Sequence, residues 1–506
     1  MDISADSSEE NTTTPDAERP VSSARLSRPR WRVQLPRLSL NFAERRLLLW
    51  VADIVALNTS LLLALALRFP YAFSWRTMRE VPVYFLLLTA LWFVWASFFD
   101  CYELAATADA SESIWRTARA GLFTALCYLL IPRWTPYFLP SRLSSLVFVG
   151  LVTLSIPIWR VLYAVVFVQP AFQRRVLIVG AGSAGSELAR LLTATPAQGN
   201  PFAGSGHYVV GFVDDDPDKA GKTVEGLPVL GDRSSLLRLV DVLQVDKVVL
   251  AISHSDTVDP GLLKSLLDCR EQGLPLVPMT VLYEQVTGRV PVEHAGAKLH
   301  VVLPLEDSAT QRLFGALKRL GDLVIGTVGL LVVAMIAPVV ALINAIWSPG
   351  PLFYWQMRVG LRGRPFRMCK FRSMIPAAEA QSGAVWASEG DPRVTPAGRF
   401  LRRMRLDELP QVWNVLKGEM SLIGPRPERP EFVAELVAQV PYYQVRHAVR
   451  PGITGWAQVR YRYGSSVEDA RIKLEYDLYY IKHQGLYLEL SILAKTAAVM
   501  LGLGGR

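Results

Sequence analysis

The sequence predicts a membrane protein of mixed class. A four-helix transmembrane bundle precedes an α/β domain and then a second α/β domain held to the membrane. Three observations carry this expectation. Four apolar runs fall before residue 170. A strand, a glycine-rich turn and a helix are written into residues 174–192. A further apolar run, 323–347, contains Pro338 and leads into a basic segment that bears adjacent carboxylates.

A chain of 506 residues exceeds one ordinary domain, so two or three are expected. Apolar residues make up 51% and charged residues 20%, with a mean hydropathy of +0.24, which suits a protein part in lipid and part in water. The formal charge of +9 seeks an anionic partner. In so apolar a chain that partner is a membrane surface or a phosphorylated substrate, not nucleic acid. Cys101, Cys127, Cys269 and Cys369 are far apart, which argues against disulfides and structural zinc and fits soluble parts in the cytoplasm. Residues 1–40 show no cleavable signal peptide. They read as a disordered tail that turns basic at Arg25, Arg28, Arg30, Arg32 and Arg37.

The transmembrane region is expected over 41–170, with apolar runs at 47–67, 81–99, 117–131 and 144–168. Most are long enough for a helix across about 30 Å of hydrocarbon, and the third is marginal. Arg45 and Arg46 precede the first run, and Arg174 and Arg175 follow the fourth. The positive-inside rule then puts both ends in the cytoplasm. Asp53, one turn into the first run, is expected to face the bundle interior.

Residues 171–305 read as a Rossmann-like α/β domain. Val176 to Val179 form a buried-strand run, Gly180, Gly182 and Gly185 spell GxGxxG, and a helix follows from Ser186. In this context a nucleotide phosphate can meet a helix N-terminus, and Asp214, at the end of the next strand, can meet a ribose hydroxyl. A nucleotide or NAD is therefore one expectation here. The other is that the glycines only permit close strand–helix packing.

The run 323–347 is long enough to span. A full span would carry everything after residue 350 out of the cytoplasm, where activated sugars and nucleotides are absent. Pro338 removes a helical hydrogen bond and clashes with the preceding turn, so a bent helix that dips into one leaflet and returns is expected over about 320–347. Lys318, Arg319 and Asp322 mark its entry at the headgroups, and Ser348-Pro349-Gly350-Pro351 its exit.

Beyond the turn, FYWQMRVG (353–360) and PFRMCKFRSM (365–374) read as extended segments carrying Arg358, Lys370 and Arg372. Thr395 is a good N-cap and Pro396 a good first residue for a helix rich in arginine, Arg402 among them, which either lies in the membrane interface or packs as a surface helix on its own domain. Asp407 and Glu408 follow. Adjacent helical side chains diverge by roughly 100°, so one acid can attack phosphorus while the other holds a divalent cation. The competing reading makes Asp407 a helix N-cap. Arg426, fixed between Pro425 and Pro427, is placed to fork onto a phosphate or else lies in solvent. Downstream, Arg446 and Arg450 read as exposed cations in a turn-rich segment.

Over 310–506, the motifs SPGPLFYWQMRVG, FRMCKFRSM, DPRVTPAGRFLRRMRLDELPQVWNVLKGEMSLIGPRPE and RPGITGWAQV closely resemble the bacterial sugar transferase domain of monotopic phosphoglycosyl transferases. With the four runs and the α/β domain, the chain resembles the large subgroup, the polyprenyl glycosylphosphotransferases. The resemblance implies a two-step reaction. Asp407 attacks the β-phosphate of a UDP-sugar and releases UMP. The phosphosugar then passes to polyprenyl phosphate, usually undecaprenyl phosphate, as the first membrane step of exopolysaccharide, capsule or O-antigen synthesis. The resemblance links Glu408 to Mg²⁺, Arg426 to the nucleotide-sugar and Pro338 to a re-entrant helix. Substrate contacts are expected from Arg358, Lys370, Arg372, Arg402 and Arg450. It also implies a homodimer in the bacterial inner membrane, with the catalytic domain on the cytoplasmic face and membrane lipids around it.

Two other classes compete. A membrane-bound NAD-dependent nucleotide-sugar dehydratase or epimerase needs a second glycine-rich turn and a Tyr-x-x-x-Lys pair, and the last third has neither. A non-catalytic scaffold of a polysaccharide assembly complex does not need the acid pair and its arginines.

Overall fold

A computed structural model describes residues 42–68, 75–102, 107, 110–131, 142–167, 174–193, 207–252, 259–295, 309–347, 349–375, 391–461, 464 and 466–500. The expected N-terminal tail and Ser348 lie outside these residues.

Among the described residues the N-terminal helices are α1 (Phe42–Arg68), α2 (Trp75–Phe98), α3 (Ala110–Leu129) and α4 (Arg142–Phe167). They share one apolar cluster, with Leu57, Leu88, Trp92, Tyr128 and Phe148 at its centre. Helices α3 and α4 approach closely at Gly121, where a Cβ would stand 3.0 Å from the Val152 carbonyl. Asp53 faces this interior, as its position predicts, and accepts from Arg160 Nη2 at 2.6 Å. Among the described residues three helices are long and apolar enough to cross a membrane, over Leu47–Ala66, Leu143–Ala164 and Gln311–Trp347. The second predicted span forms a shorter apolar helix, Pro82–Phe98. The marginal third run lies in α3, which carries Arg116 and Arg119 and falls short of that standard.

The α/β region follows. Strands β1 (Arg174–Val179), β2 (His207–Val213), β3 (Thr223–Val224), β4 (Leu227–Gly231), β5 (Lys247–Leu250) and β6 (Leu276–Pro278) form one sheet in the order β3-β4-β2-β1-β5-β6. All pairs are parallel except β3 with β4. Alternation along β1 decides which helix covers which face. Val176 and Ile178 pack with α5 (Ser183–Thr193) and with α8 (Met279–Thr287). Leu177 and Val179 pack with α6 (Leu236–Leu243) and α7 (Pro260–Glu271). The segment after α8 leaves this sheet. Val290, Val292 and Ala295 insert into the apolar cluster of the last third of the chain.

Helix α9 (Ala309–Trp347) has 39 residues and continues through Pro338. One side of it lies along the C-terminal region for most of its length. Lys318 Nζ donates to the Ile423 carbonyl at 3.0 Å, and Arg319 donates to the carbonyls of Val415 and Leu416 at 2.7 and 2.9 Å. Asp322 Oδ1 accepts from the Leu422 N–H at 3.0 Å. These three residues, expected at the entry of the apolar run, bond the C-terminal region, Lys318 also through the Glu489 carboxylate and Asp322 also through the Ser421 hydroxyl. Farther along, Gly326 and Gly329 admit Leu416 and Val412, and Val333 and Val340 share a cluster with Phe371 and Leu401. The opposite side exposes Leu331, Met335, Val339, Leu342 and Ile346.

The C-terminal region is built from a hairpin of β7 (Phe353–Val359) and β8 (Pro365–Phe371), then α10 (Pro396–Arg403) and α11 (Val412–Lys417). Strand β9 (Ser421–Ile423), α12 (Pro430–Gln439), β10 (Gly452–Thr454), α13 (Trp456–Arg460), α14 (Val467–Lys482) and α15 (Leu486–Met500) complete it. The aromatic stripe of α14 is core: Tyr476 and Tyr480 are buried in the same cluster as Trp456. Helix α15 reaches back to the N-terminal helices, where Lys495 pairs with Asp100 and Tyr487 meets Trp50 at 5.9 Å.

Candidate active site

The acid pair sits where two short helices meet. Thr395 caps α10 by accepting the Gly398 N–H at 2.9 Å, and Pro396 occupies the first turn, as predicted. Gly398 lies on the Ser373 backbone so closely that a Cβ would stand 1.9 Å from that carbonyl. The helix ends at Arg403, and two residues on Arg405 takes a left-handed conformation with φ 56°. A non-glycine residue held there stores about 1–2 kcal/mol. The reversal starts a 3-10 turn, Leu406–Gln411, with Asp407 and Glu408 in its first turn. Asp407 is therefore not the N-cap; Arg405 holds that position.

Asp407 is buried, and burial first, then the neighbouring Glu408 charge, raises its carboxyl above the usual range. Lys370, Arg402 and Arg426 oppose that rise. Burial alone would raise Glu408 as well, but Arg426 and Lys370 outweigh it and hold this carboxyl well below the usual range. Arg426 Nη2 stands 2.5 Å from Glu408 Oε1, and Lys370 Nζ 3.2 Å from the same oxygen. Burial lowers Lys370, and Glu408 counters it. One carboxylate is thus kept charged, and its neighbour is held closer to neutrality.

Lys370 owes its place to Asn414. That buried amide accepts from the Cys369 N–H at 3.0 Å and donates to the Arg367 carbonyl at 2.7 Å, tying β8 to α11 beside the acids. Arg426 owes its place to a clamped turn. Prolines on both sides of Arg426 offer no N–H, yet four successive carbonyls each find a donor. Pro425 accepts from Gly452 N–H, Arg426 from Arg446, Pro427 from Arg358 and Glu428 from Val359 N–H. Gly424, Gly452 and Gly455 let the β9 and β10 backbones meet below this turn; a Cβ on any of them would lie within 2.3 Å of another backbone atom.

The predicted binding residues divide. Lys370 and Arg426 touch the acid pair, and Arg402, whose Nε donates to Ser373 Oγ at 2.9 Å, adds its charge at Asp407. Arg358 holds Gln356 at 2.7 Å and the Pro427 carbonyl at 3.1 Å, bracing the turn. Arg372 is buried against Gly350 and donates to the Pro351 carbonyl at 2.7 Å. Arg450 donates to the Gly418 carbonyl at 3.0 Å and so closes α11. Sequence reasoning misread Arg446 as exposed. It is buried because Asp477, 31 residues away, neutralises it. Its detectable signal was the run of carbonyls between prolines, which demands a donor. Among the described residues no group of three His, Cys, Asp or Glu is placed to hold a metal ion.

In the α/β region Gly180 has φ 107° and lies on Ala251, and Gly185 lies on the Gly180 carbonyl, so both are required by packing. Gly182 faces open space. Asp214 spends its oxygens within the turn, on the Ala181 N–H at 2.6 Å, the Asp216 N–H at 3.0 Å and Lys219 at 3.2 Å.

Comparison with known proteins places this geometry. Residues 313–502 match the family model described as bacterial sugar transferase, and residues 97–260 match one described as CoA-binding domain. An Aeromonas hydrophila UDP-N-acetylgalactosamine-undecaprenyl-phosphate N-acetylgalactosaminephosphotransferase is 41% identical over 243 residues, 48% of this chain and 56% of the relative. A Xanthomonas campestris UDP-glucose:undecaprenyl-phosphate glucose-1-phosphate transferase is 33% identical over 65% of this chain and 67% of its own length. A Bacillus subtilis protein named as a putative undecaprenyl-phosphate N-acetylgalactosaminyl 1-phosphate transferase is 48% identical over 26% of this chain and 73% of its own. The chain thus spans little more than half of the Aeromonas relative. The acid pair, the clamped Pro-Arg-Pro turn and these matches make the chain a member of the bacterial sugar transferase family.

Proposed function

We propose that the protein is a phosphoglycosyl transferase that moves a sugar-1-phosphate from a UDP-sugar to a polyprenyl phosphate, with undecaprenyl phosphate the acceptor named for the relatives. The observation that carries this reading is the split acid pair: Asp407 raised by burial, beside a charged Glu408 gripped by Arg426 and Lys370. An Asp407 carboxylate oxygen attacks the β-phosphorus. The bond from that phosphorus to the bridging oxygen breaks, and UMP departs with the oxygen. A polyprenyl phosphate oxygen then attacks the same phosphorus. The Asp407 O–P bond breaks, which restores the carboxylate and leaves a polyprenyl diphosphate sugar. Two anions meet in each step, so the positive groups Lys370, Arg402 and Arg426 serve to offset the charge.

The donor set fits magnesium. That ion is held through one or two carboxylates and completed by substrate phosphates, so it needs no third protein acid. Glu408, charged and beside Asp407, would hold it once the diphosphate draws Arg426 from the carboxylate, whose oxygens Arg426 and Lys370 now engage. The bound ion would supply further neutralisation of the diphosphate.

The membrane arrangement belongs to the same reading. The four N-terminal helices form a transmembrane bundle, and α9 enters and leaves one leaflet of a bacterial inner membrane on the cytoplasmic side. Contacts from Lys318 to Val340 support this, because a helix that lies along one domain over that length cannot also carry the chain away from it. The exposed apolar side from Leu331 to Ile346 then faces lipid. In the α/β region, the CoA-binding match and the open Gly182 support a nucleotide-bearing ligand at the glycine turn. The Asp214 oxygens already engaged in the turn make ribose recognition its lesser role.

The test is UMP release from a panel of UDP-sugars with undecaprenyl phosphate in vesicles. Wild-type protein is expected to release UMP and to retain labelled sugar phosphate on an Asp407 peptide after denaturation without acceptor. Asp407→Asn is expected to do neither. Full turnover by Asp407→Asn rules the covalent route out.

A further inference from the structure

The Arg426 side chain starts from a backbone that cannot brace itself. Its flanking prolines remove two N–H groups, so the turn depends on donors from elsewhere. The donor at the Arg426 carbonyl is Arg446 Nη2, at 3.0 Å. The same nitrogen donates to Asp477 Oδ2 at 2.9 Å, and Nη1 donates to the Tyr443 hydroxyl, whose ring lies 4.9 Å from the guanidinium carbon. The Arg446 side chain is 7% exposed and that of Asp477 2%. A rigid fork thus joins α14 to the turn that projects Arg426 at Glu408.

The geometry points to Arg446 as a positioning residue: paired with Asp477, it fixes the Arg426 carbonyl and so sets where the Arg426 guanidinium stands. It touches neither acid and acts only through Arg426. The inference rests on the reading that Arg426 meets the diphosphate.

A bare Arg446 deletion leaves Asp477 buried without a partner, and such a protein can fail to fold. Two variants avoid that. Arg446→Lys keeps the charge and loses the fork. Arg446→Met with Asp477→Leu removes both charges and keeps the volume. UMP release is measured in vesicles against UDP-glucose and UDP-N-acetylgalactosamine, in the wild-type and Arg426→Ala backgrounds, with melting temperature in parallel. The expected result is a fall in kcat/KM of about tenfold or more for either variant in the wild-type background, the size of one charge-assisted hydrogen bond. In the Arg426→Ala background the same changes are expected to cost nothing further, because coupled residues are not additive. An equal loss in both backgrounds makes Arg446 a general stability element and overturns the inference. So does a folded double variant with wild-type kcat/KM. If Arg426→Ala itself turns over like wild type, the proposed function fails, and the inference with it.

Discussion

Arg426 grips both oxygens of Glu408, with Nη2 2.5 Å from Oε1 and Nη1 3.4 Å from Oε2. The two residues are 18 apart in sequence and meet only because the 3-10 turn and the Pro-Arg-Pro turn face each other. The contact keeps Glu408 charged in a place where burial by itself raises the carboxyl. It also brings the Arg426 charge close enough to Asp407 to oppose the rise of that carboxyl.

Replacing Glu408 by Gln removes the charge and keeps the shape. UMP release is expected to fall about 10²–10³-fold, the usual loss for one electrostatic element of an active site. The remaining activity should respond less to magnesium. Its acid limb should also move. Burial and then Glu408 raise the Asp407 carboxyl, so deleting the second cause lowers it, and Asp407 stays ionised to lower pH. UMP release by Glu408→Gln, followed from about pH 4 to about pH 8 and across a magnesium titration, checks both. An acid limb that stays in place argues against charge coupling between the two acids.

How much of this was readable in sequence depends on distance along the chain. Thr395 with Pro396, the strands β1 and β2, and the acid pair are local signals, and each appears where its residues stand. Lys370, Arg426 and Glu408 stand out singly in sequence, but their grouping is tertiary, since Lys370 and Arg426 lie 38 and 18 residues from the acid. Strands β3, β4 and β6 escaped notice because two to five residues carry no period. Arg358, Arg372, Arg446 and Arg450 show the main limit. As letters all four look like substrate cations, yet each donates to a backbone carbonyl. Which carbonyl is left without an N–H is decided by the tertiary path of the chain.

Glu475 makes stability depend on pH. This carboxyl, on α14, faces Arg289 at 3.4 Å and Arg471 at 3.1 Å, with Glu187 and Glu293 nearby, where the segment after α8 docks. Burial pushes it up to about 7, against the opposing arginines. Its folded value lies above its unfolded one, so its contribution to stability is complete below the unfolded value and is lost as pH rises through about 7. The loss is at most about 3 kcal/mol. Glu475→Gln is expected to melt like wild type near pH 5 and above wild type near pH 8. Melting curves of the two proteins that stay parallel over that range contradict the assignment.

The path of α9 decides on which side of the membrane the acid pair works. A straight 39-residue helix is about 58 Å long, roughly twice the hydrocarbon thickness. Such a helix can cross, and the proposed re-entrant path rests on its contacts. Lys318 and Arg319 reach β9 and α11, and Val340, about four turns beyond Gly326, still packs with Phe371 and Leu401 of the same region. A transmembrane course would pull Val340 through the bilayer and away from these partners. Cysteines placed at exposed Leu320 and at Pro349 are therefore expected to react with an impermeant maleimide from the same face, the one that also exposes the α/β region. The native Cys101, Cys127, Cys269 and Cys369 are replaced beforehand, and UMP release confirms that the labelled proteins are folded. Modification from opposite faces would make α9 a full span and put Asp407 on the far side from a cytoplasmic UDP-sugar.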